Sequence, residues 1–427
     1  ILKITMTALM MGLDNPTLPM QKGENNHIEY KYNKDGIITQ LFFQLVRTKD
    51  VKSKENLINI TKQILNSGTI KDITLLYKLT GYTRDIIAGK GEYELYYMMI
   101  MCWYDFNPEL SKFLIEKMVY LTKDGEQIHP YGSWKDIKFF CRYCFIRTAN
   151  TEHPLIDHAI NLLVCQLKKD TQEEEITLAG KWCPRESSKK FNWLYEKICM
   201  IYYKEYYDTA KVSGQAQQIL KADKKAKMNL RKELSKLNHK LDTVQIKQCN
   251  KTWQDIDHNK TTSITLNKQT KAFQNIKKDG GIRSYDEDRI KCGENFINFI
   301  NSKKNNNQSI KGKRVSIYDF VKTAIKETNK TTIDTINLQW ENNKQINSPL
   351  SNFIAMVDTS GSMECENCQP LYNAIGLGIR IAELSKLGKR VLTFSQNPNW
   401  VNLDDKKTFC DMVKKVKKAN WSGNTDI

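Results

Sequence analysis

The chain has 427 residues, 40% of them hydrophobic, and carries 66 Lys and Arg against 48 Asp and Glu, a formal net charge of +18. That length and apolar content suit two or three folded domains, and eleven scattered cysteines without a small-domain framework suit reduced thiols in a cytoplasmic setting rather than a disulfide scaffold. No stretch reaches about 18 consecutive apolar residues, so no membrane partner is expected.

The cationic excess favours an anionic partner, with nucleic acid first, because released counterions drive lysine–phosphate association. The abundance of Lys, Asn and Ile also follows from an AT-rich coding sequence, which leaves a purely compositional reading open. The chain starts at Ile1 and stops within a motif, so it is expected to be a fragment of a longer product.

Residues 1–36 read as an arm, because Pro16, Pro19, Gly23 and the polar Glu24 to His27 interrupt any periodicity. From 37 to 345 helical patterns follow one another. Ile37, Leu41 and Leu45 repeat at helical spacing, and similar faces recur at 57–65, 92–104, 109–121, 134–146 and 155–167. Gly81, Pro108, Gly125, Pro130 and Pro154 punctuate them. The expected form is a solenoid-like all-α domain without a strict sequence period.

Gly89-Lys-Gly91 lacks the spacing and the Ser or Thr of a phosphate loop. Cys141-x-x-Cys144 and Cys365-x-x-Cys368 are each only half of a zinc spacing. From 215 to 253 the chain is polar and basic, and Lys224, Lys225, Lys227, Arg231 and Lys232 form a row on a predicted helix that could follow a phosphate backbone. A solvated helix face explains the same row. Residues 301–309 are low in complexity and read as a loop.

The segment with most chemistry is Asn352 to Met363. The apolar run Phe353 to Val357 predicts a buried strand, which breaks into Asp358-Thr-Ser360-Gly-Ser362. Oxygen-bearing side chains at i, i+2 and i+4 in a loop at the carboxyl end of a strand suit Mg²⁺ or another divalent cation, which takes about six oxygens at roughly 2.1 Å. The intervening Ser360 excludes an aspartic-protease or dehalogenase loop, while a simple helix cap remains an alternative. A helix over 370–387, a strand over 389–394 and a helix over 404–419 are predicted next.

Asp358-x-Ser360-x-Ser362 resembles the metal-ion-dependent adhesion site of von Willebrand factor A domains, and Ser422-Gly-Asn-Thr425 resembles its second motif. The resemblance implies direct ligation by Ser360 and Ser362, a water-mediated or orienting role for Asp358, a further ligand in Thr425, and a protein partner that presents a carboxylate to the metal. It makes 346–427 the N-terminal part of a truncated α/β A-like domain. The third motif of that site lies beyond Ile427, so cation binding is expected to be weak.

The segments Thr83 to Glu92, Tyr131 to Asp136, Leu178 to Glu186, Leu230 to Leu234 and Gln339 to Glu341, taken in order, resemble the domain of unknown function 2828 family. The layout, helices followed by an A-type domain, is similar to that of the Ro autoantigen family. Together these imply a non-enzymatic RNA-binding or ribonucleoprotein scaffold. The alternative is a metal-dependent protein-interaction module with no nucleic-acid role. The six histidines are isolated in sequence, and no catalytic set can be assembled.

Overall fold

The computed structural model describes residues 20–22, 28–30, 36–48, 50–212, 214–344, 350–395 and 398–419. Two compact units divide the chain, Ile1–Leu241 and Asp242–Ile427. Most of the described chain is helical, with a small mixed sheet near the C-terminus.

In the first unit a short antiparallel pair, β1 (Met20–Lys22) and β2 (Ile28–Tyr30), precedes the helices. Helices α1 (Ile37–Gln44), α2 (Val51–Ser67), α3 (Ile70–Arg84), α4 (Tyr93–Phe106) and α5 (Pro108–Lys117) follow. A hairpin of β3 (Leu121–Lys123) and β4 (Glu126–Ile128) separates them from α6 (Trp134–Thr148), α7 (Pro154–Asp170) and α8 (Ala179–Trp182). The unit closes with α9 (Asn192–Tyr202), α10 (Lys204–Val212) and α11 (Ala216–Lys240).

Helix starts follow their capping chemistry. Thr69 and Asp72 form a capping box at α3, and Pro108 and Pro154 occupy the first turns of α5 and α7, where a missing N–H costs nothing. The hairpin turn places Asp124 and Gly125 at φ 53° and 85°, the left-handed pair that a two-residue turn needs. Helix α4 packs against α2, α3, α5 and α6. It therefore buries apolar residues around most of its circumference, and its polar tips find partners: the Trp103 Nε1–H donates to Thr80 Oγ1 at 3.0 Å and the Tyr96 hydroxyl to Leu114 O at 2.6 Å. Gly81, expected as punctuation, lies inside α3, where a Cβ would sit 3.0 Å from the Tyr131 ring.

The second unit comprises α12 (Val244–Cys249), α13 (Ser263–Phe273), α14 (Glu287–Asn305), α15 (Ile317–Lys326) and α16 (Lys330–Lys344), then β5 (Ala355–Asp358), α17 (Cys365–Leu384), β6 (Arg390–Phe394), β7 (Asn399–Asn402) and α18 (Phe409–Lys417). The sheet order is β5-β6-β7, parallel between β5 and β6 and antiparallel between β6 and β7. Residues 301–305, expected as loop, complete α14. Buried Phe296 and Ile300 anchor the end of that helix, and Lys304 pairs with Asp334 at 2.7 Å.

The sequence suggests a boundary between 345 and 346, whereas packing places α15 and α16 in one core with the sheet. Trp340 of α16 stacks on Phe409 of α18 with centroids 3.8 Å apart, and its Nε1–H donates to Glu383 of α17 at 2.9 Å. Helix α17 lies directly on β5 because it carries glycine there: a Cβ on Gly378 would come within 2.4 Å of Val357 Cγ2. Gly378→Val is expected to destabilise the unit by about 2 kcal/mol through overpacking. An unchanged midpoint in urea denaturation would contradict that close approach.

Candidate functional site

Strand β5 alternates, with Ala355 and Val357 buried and Met356 outward, and ends on Asp358. Asp358 is in register with Phe394 of the parallel strand β6, and the next N–H, of Thr359, still donates to Phe394 O at 2.9 Å. The loop is therefore held to the sheet's carboxyl edge, where open α/β sheets carry their sites. Asp358 Oδ1 accepts from the Ser360 N–H at 2.8 Å, and Ser360 Oγ and Ser362 Oγ are hydrogen-bonded at 3.0 Å. Ser360 is buried and Ser362 exposed, so the oxygen pair opens to solvent.

Adjacent corners of an octahedron with bonds of roughly 2.1 Å lie about 3.0 Å apart. The hydroxyl pair fits one such edge, with the Asp358 carboxylate beside it. Among the described residues no group of three or more His, Cys, Asp or Glu side chains is placed to hold a metal ion, and Asp358 is the one acid within residues 358–362. Thr425, expected as a further ligand, lies outside the described residues. The start of α17 carries Glu366, Asn367 and Cys368 in succession at φ 48°, 61° and 61°. That left-handed turn costs roughly 1–2 kcal/mol per residue.

Helix α11 has two opposed faces. Ala226, Leu230, Leu234 and Leu237 are buried, whereas Lys221, Lys224, Lys225, Arg231, Lys232 and Lys236 are exposed at spacings of three, four or seven. The cations extend over roughly 22 Å at 1.5 Å per residue. Lys225 lies over the Tyr206 ring at 4.4 Å, and a cavity of ≈ 420 Å³ is lined by Tyr206, Gln218, Lys221 and Lys225. Arg231 makes an exposed pair with Glu186 at 3.2 Å. Lys227 stands apart from the face. It is held between Glu196 at 3.0 Å and Asp223 at 2.9 Å, and the Asp223-x-x-x-Lys227 spacing already signals that pairing.

The remaining marked segments are joints of the fold. Lys90 of Gly-Lys-Gly donates to Phe42 O and, at 3.1 Å, to Leu45 O, meeting the exposed carbonyls at the end of α1. Arg84 and Asp136 form a buried bidentate pair at 3.0 and 2.8 Å, joining two of the segments. Gly180 lies against Leu237, and its carbonyl accepts from Asn238 at 3.1 Å. The Gln339 side-chain amide donates to Ser263 O and Lys311 O at 3.1 and 2.8 Å. Cys141 and Cys144 are buried, and burial pushes the Cys144 thiol up to about 11, so both suit packing rather than chemistry.

Residues 158–345 match the family described as domain of unknown function 2828, and residues 352–427 match domain of unknown function 7788. The chain is similar to the uncharacterized protein L728 of Acanthamoeba polyphaga mimivirus, with 24% identity over 381 residues, covering 84% of this chain and 60% of that protein. The chain thus spans about 60% of the length of this curated relative. No solved structure matches it. No helix among the described residues is long and apolar enough to cross a membrane.

Proposed function

We propose that this chain is a non-enzymatic scaffold that binds RNA through the exposed face of α11 and carries a divalent-cation adhesion loop on an A-like α/β domain. The observation that carries the RNA reading is the row of exposed cations opposite a buried stripe. Contacts of this kind are to phosphates and are tolerant of sequence. Replacing Lys221, Lys224, Lys225, Lys232 and Lys236 by Gln should lower the slope of log affinity against log salt by roughly one for each phosphate no longer neutralised, equally for unrelated RNAs. Lys227→Gln should leave the slope unchanged, because that charge is already committed to two carboxylates. Equal slopes for parent and quintuple variant, with circular dichroism unchanged, would overturn the reading.

A second reading, a metal-dependent protein-interaction module without RNA, is favoured by the 3.0 Å hydroxyl pair. In both readings Ser360 and Ser362 would hold Mg²⁺, Asp358 would supply charge and orient Ser360, and a partner's carboxylate would complete the sphere; the ion supplies a bridge between the two. Calorimetric titration with Mg²⁺ should give millimolar-range binding, about 4 kcal/mol, that is lost in Asp358→Ala and kept in Glu364→Gln. Equal heats for all three proteins would remove the cation loop from the proposal.

A further inference from the structure

A second concentration of charge lies wholly within the Asp242–Ile427 unit, on residues that belong neither to α11 nor to the oxygen loop. A cavity of ≈ 760 Å³ is lined by Lys268, Lys271, Lys277, Lys278, Arg283 and Arg289, with Trp253 on one wall. These cations come from three consecutive elements: α13, the turn that follows it, and α14. The turn is fixed by its backbone. Lys277 N donates to Gly281 O at 2.8 Å, Ile276 bridges Ile282, and Gly280 takes φ 94°.

The carboxylates nearby are already occupied. Glu327, the lining acid, pairs with Lys271 at 3.1 Å and accepts from the Thr328 and Asn329 N–H groups. Asp288 accepts from the Trp253 and Gln254 N–H groups at 2.9 Å, and Asp286 from the Ser284 hydroxyl at 2.8 Å. Lys268, Lys277, Lys278 and Arg283 make no ion pair among the described residues. Arg289 is held as a rigid plate: its guanidinium sits 3.5 Å from the Trp253 ring centroid and donates to Ala272 O at 2.7 Å. Its Nε is buried without an acceptor. Burial draws its proton affinity down and Arg283 pushes in the same direction, while Asp288 and Asp286 oppose. Folding therefore gathers six cations here against Glu327 in the lining and Asp279, Asp286 and Asp288 in the flanking turn and helix, so positive charge stays in excess until an anion enters.

We propose that this cavity binds an anion carrying two or more phosphate groups. The excess of cations asks for several negative charges on one ligand, which a single carboxylate does not supply. The volume falls within the range of small-molecule sites, and the concave wall suits a compact polyphosphate or one kinked stretch of a single strand rather than a duplex or a membrane plane. Arg289, fixed on Trp253, and Arg283 supply fork geometry for phosphate oxygens, and the three lysines without ion pairs supply mobile charge. This goes beyond the reading of α11 and does not rest on it.

The test uses the whole chain at about 100 mM salt, where weak surface attraction is largely screened. Inorganic tripolyphosphate, ATP and a short single-stranded RNA are titrated by calorimetry into the parent, a Lys277→Gln/Arg283→Gln variant and the α11 quintuple variant. Both substituted positions of the double variant are exposed, so its fold is not at risk. The expected result is binding of tripolyphosphate to the parent, weakened by roughly tenfold or more in the double variant and unchanged in the α11 variant. ATP or RNA exceeding tripolyphosphate would identify a nucleotide or an RNA backbone as the phosphate source, and either supports the proposal. Absence of tripolyphosphate binding, or equal affinity in parent and double variant, overturns it. Loss only in the α11 variant also overturns it and leaves the charge on α11 as the anion site.

Discussion

Asp136→Ala is expected to destabilise the Ile1–Leu241 unit by about 3–5 kcal/mol, because it strands a buried arginine. The Asp136 carboxylate serves four structural pieces at once. Oδ1 accepts from Arg84 Nε at 3.0 Å and from the Tyr97 hydroxyl at 2.6 Å. Oδ2 accepts from Arg84 Nη2 and from the Ser133 N–H, both at 2.8 Å. The end of α3, the side of α4, the turn before α6 and α6 itself thus meet on one group. Gly132 is part of the design, since a Cβ there would lie 2.7 Å from Asp136 Oδ2.

Removing the acid leaves a guanidinium that is 7% exposed without its counter-charge, and the Tyr97 and Ser133 donors without their acceptor. Arg84→Met/Asp136→Ala should be less destabilising than the sum of the single variants, because no lone charge remains. Urea denaturation followed by far-UV circular dichroism measures all three. A loss below about 1 kcal/mol for Asp136→Ala, the size of an exposed pair, would show that the bond does not hold the unit together.

That pair also marks the limit of what the sequence discloses. Tyr131 to Asp136 and Thr83 to Glu92 stand out locally as departures from helical periodicity. Nothing local says that Arg84 and Asp136, 52 positions apart, face one another. The oxygen loop was legible because strand, turn and oxygen-bearing side chains are contiguous: β5 occupies Ala355–Asp358, starting two residues into the expected run Phe353 to Val357 and closing on Asp358, although Phe353, Ile354 and Met356, expected as buried, are exposed. Strand β7 was not, since its four residues bury only Val401 and leave Trp400 outward, too short a pattern to separate from loop. Amphipathic periodicity in α15 and α16 shows that these helices bury a face, but not that the face meets the sheet. The polyphosphate cavity escaped for the same reason: its cations lie on two helices and a turn, each of which reads alone as a solvated surface.

His258 should make the Asp242–Ile427 unit acid-sensitive well before its carboxylates titrate. The imidazole is 5% exposed and ringed by Phe296, Phe273 and Phe299 at centroid distances of 4.9, 5.1 and 5.6 Å. Neither ring nitrogen has a hydrogen-bond partner. Burial lowers its pKa from the ordinary 6.5 to about 4, with Asp257 opposing only weakly. Above pH 6.5 both folded and unfolded chains carry a neutral ring, and the packing contributes in full. As pH falls from 6.5 toward 4 the unfolded chain takes up a proton that the folded one refuses, so stability is lost across that window. The loss from this group is about 2 kcal/mol at pH 5 and about 3 kcal/mol at pH 4, at 1.36 kcal/mol per unit. Below pH 4 the folded state accepts the proton too, and the loss levels off. His258→Phe keeps an aromatic ring in the cluster and removes the proton, so its stability should be flatter than the parent's between pH 7 and pH 5. The direct measurement is the NMR titration of the His258 ring in the folded chain. A midpoint at or above about 6, the range of an unburied histidine, would mean that the ring reaches solvent and that the aromatic cluster is not sealed around it.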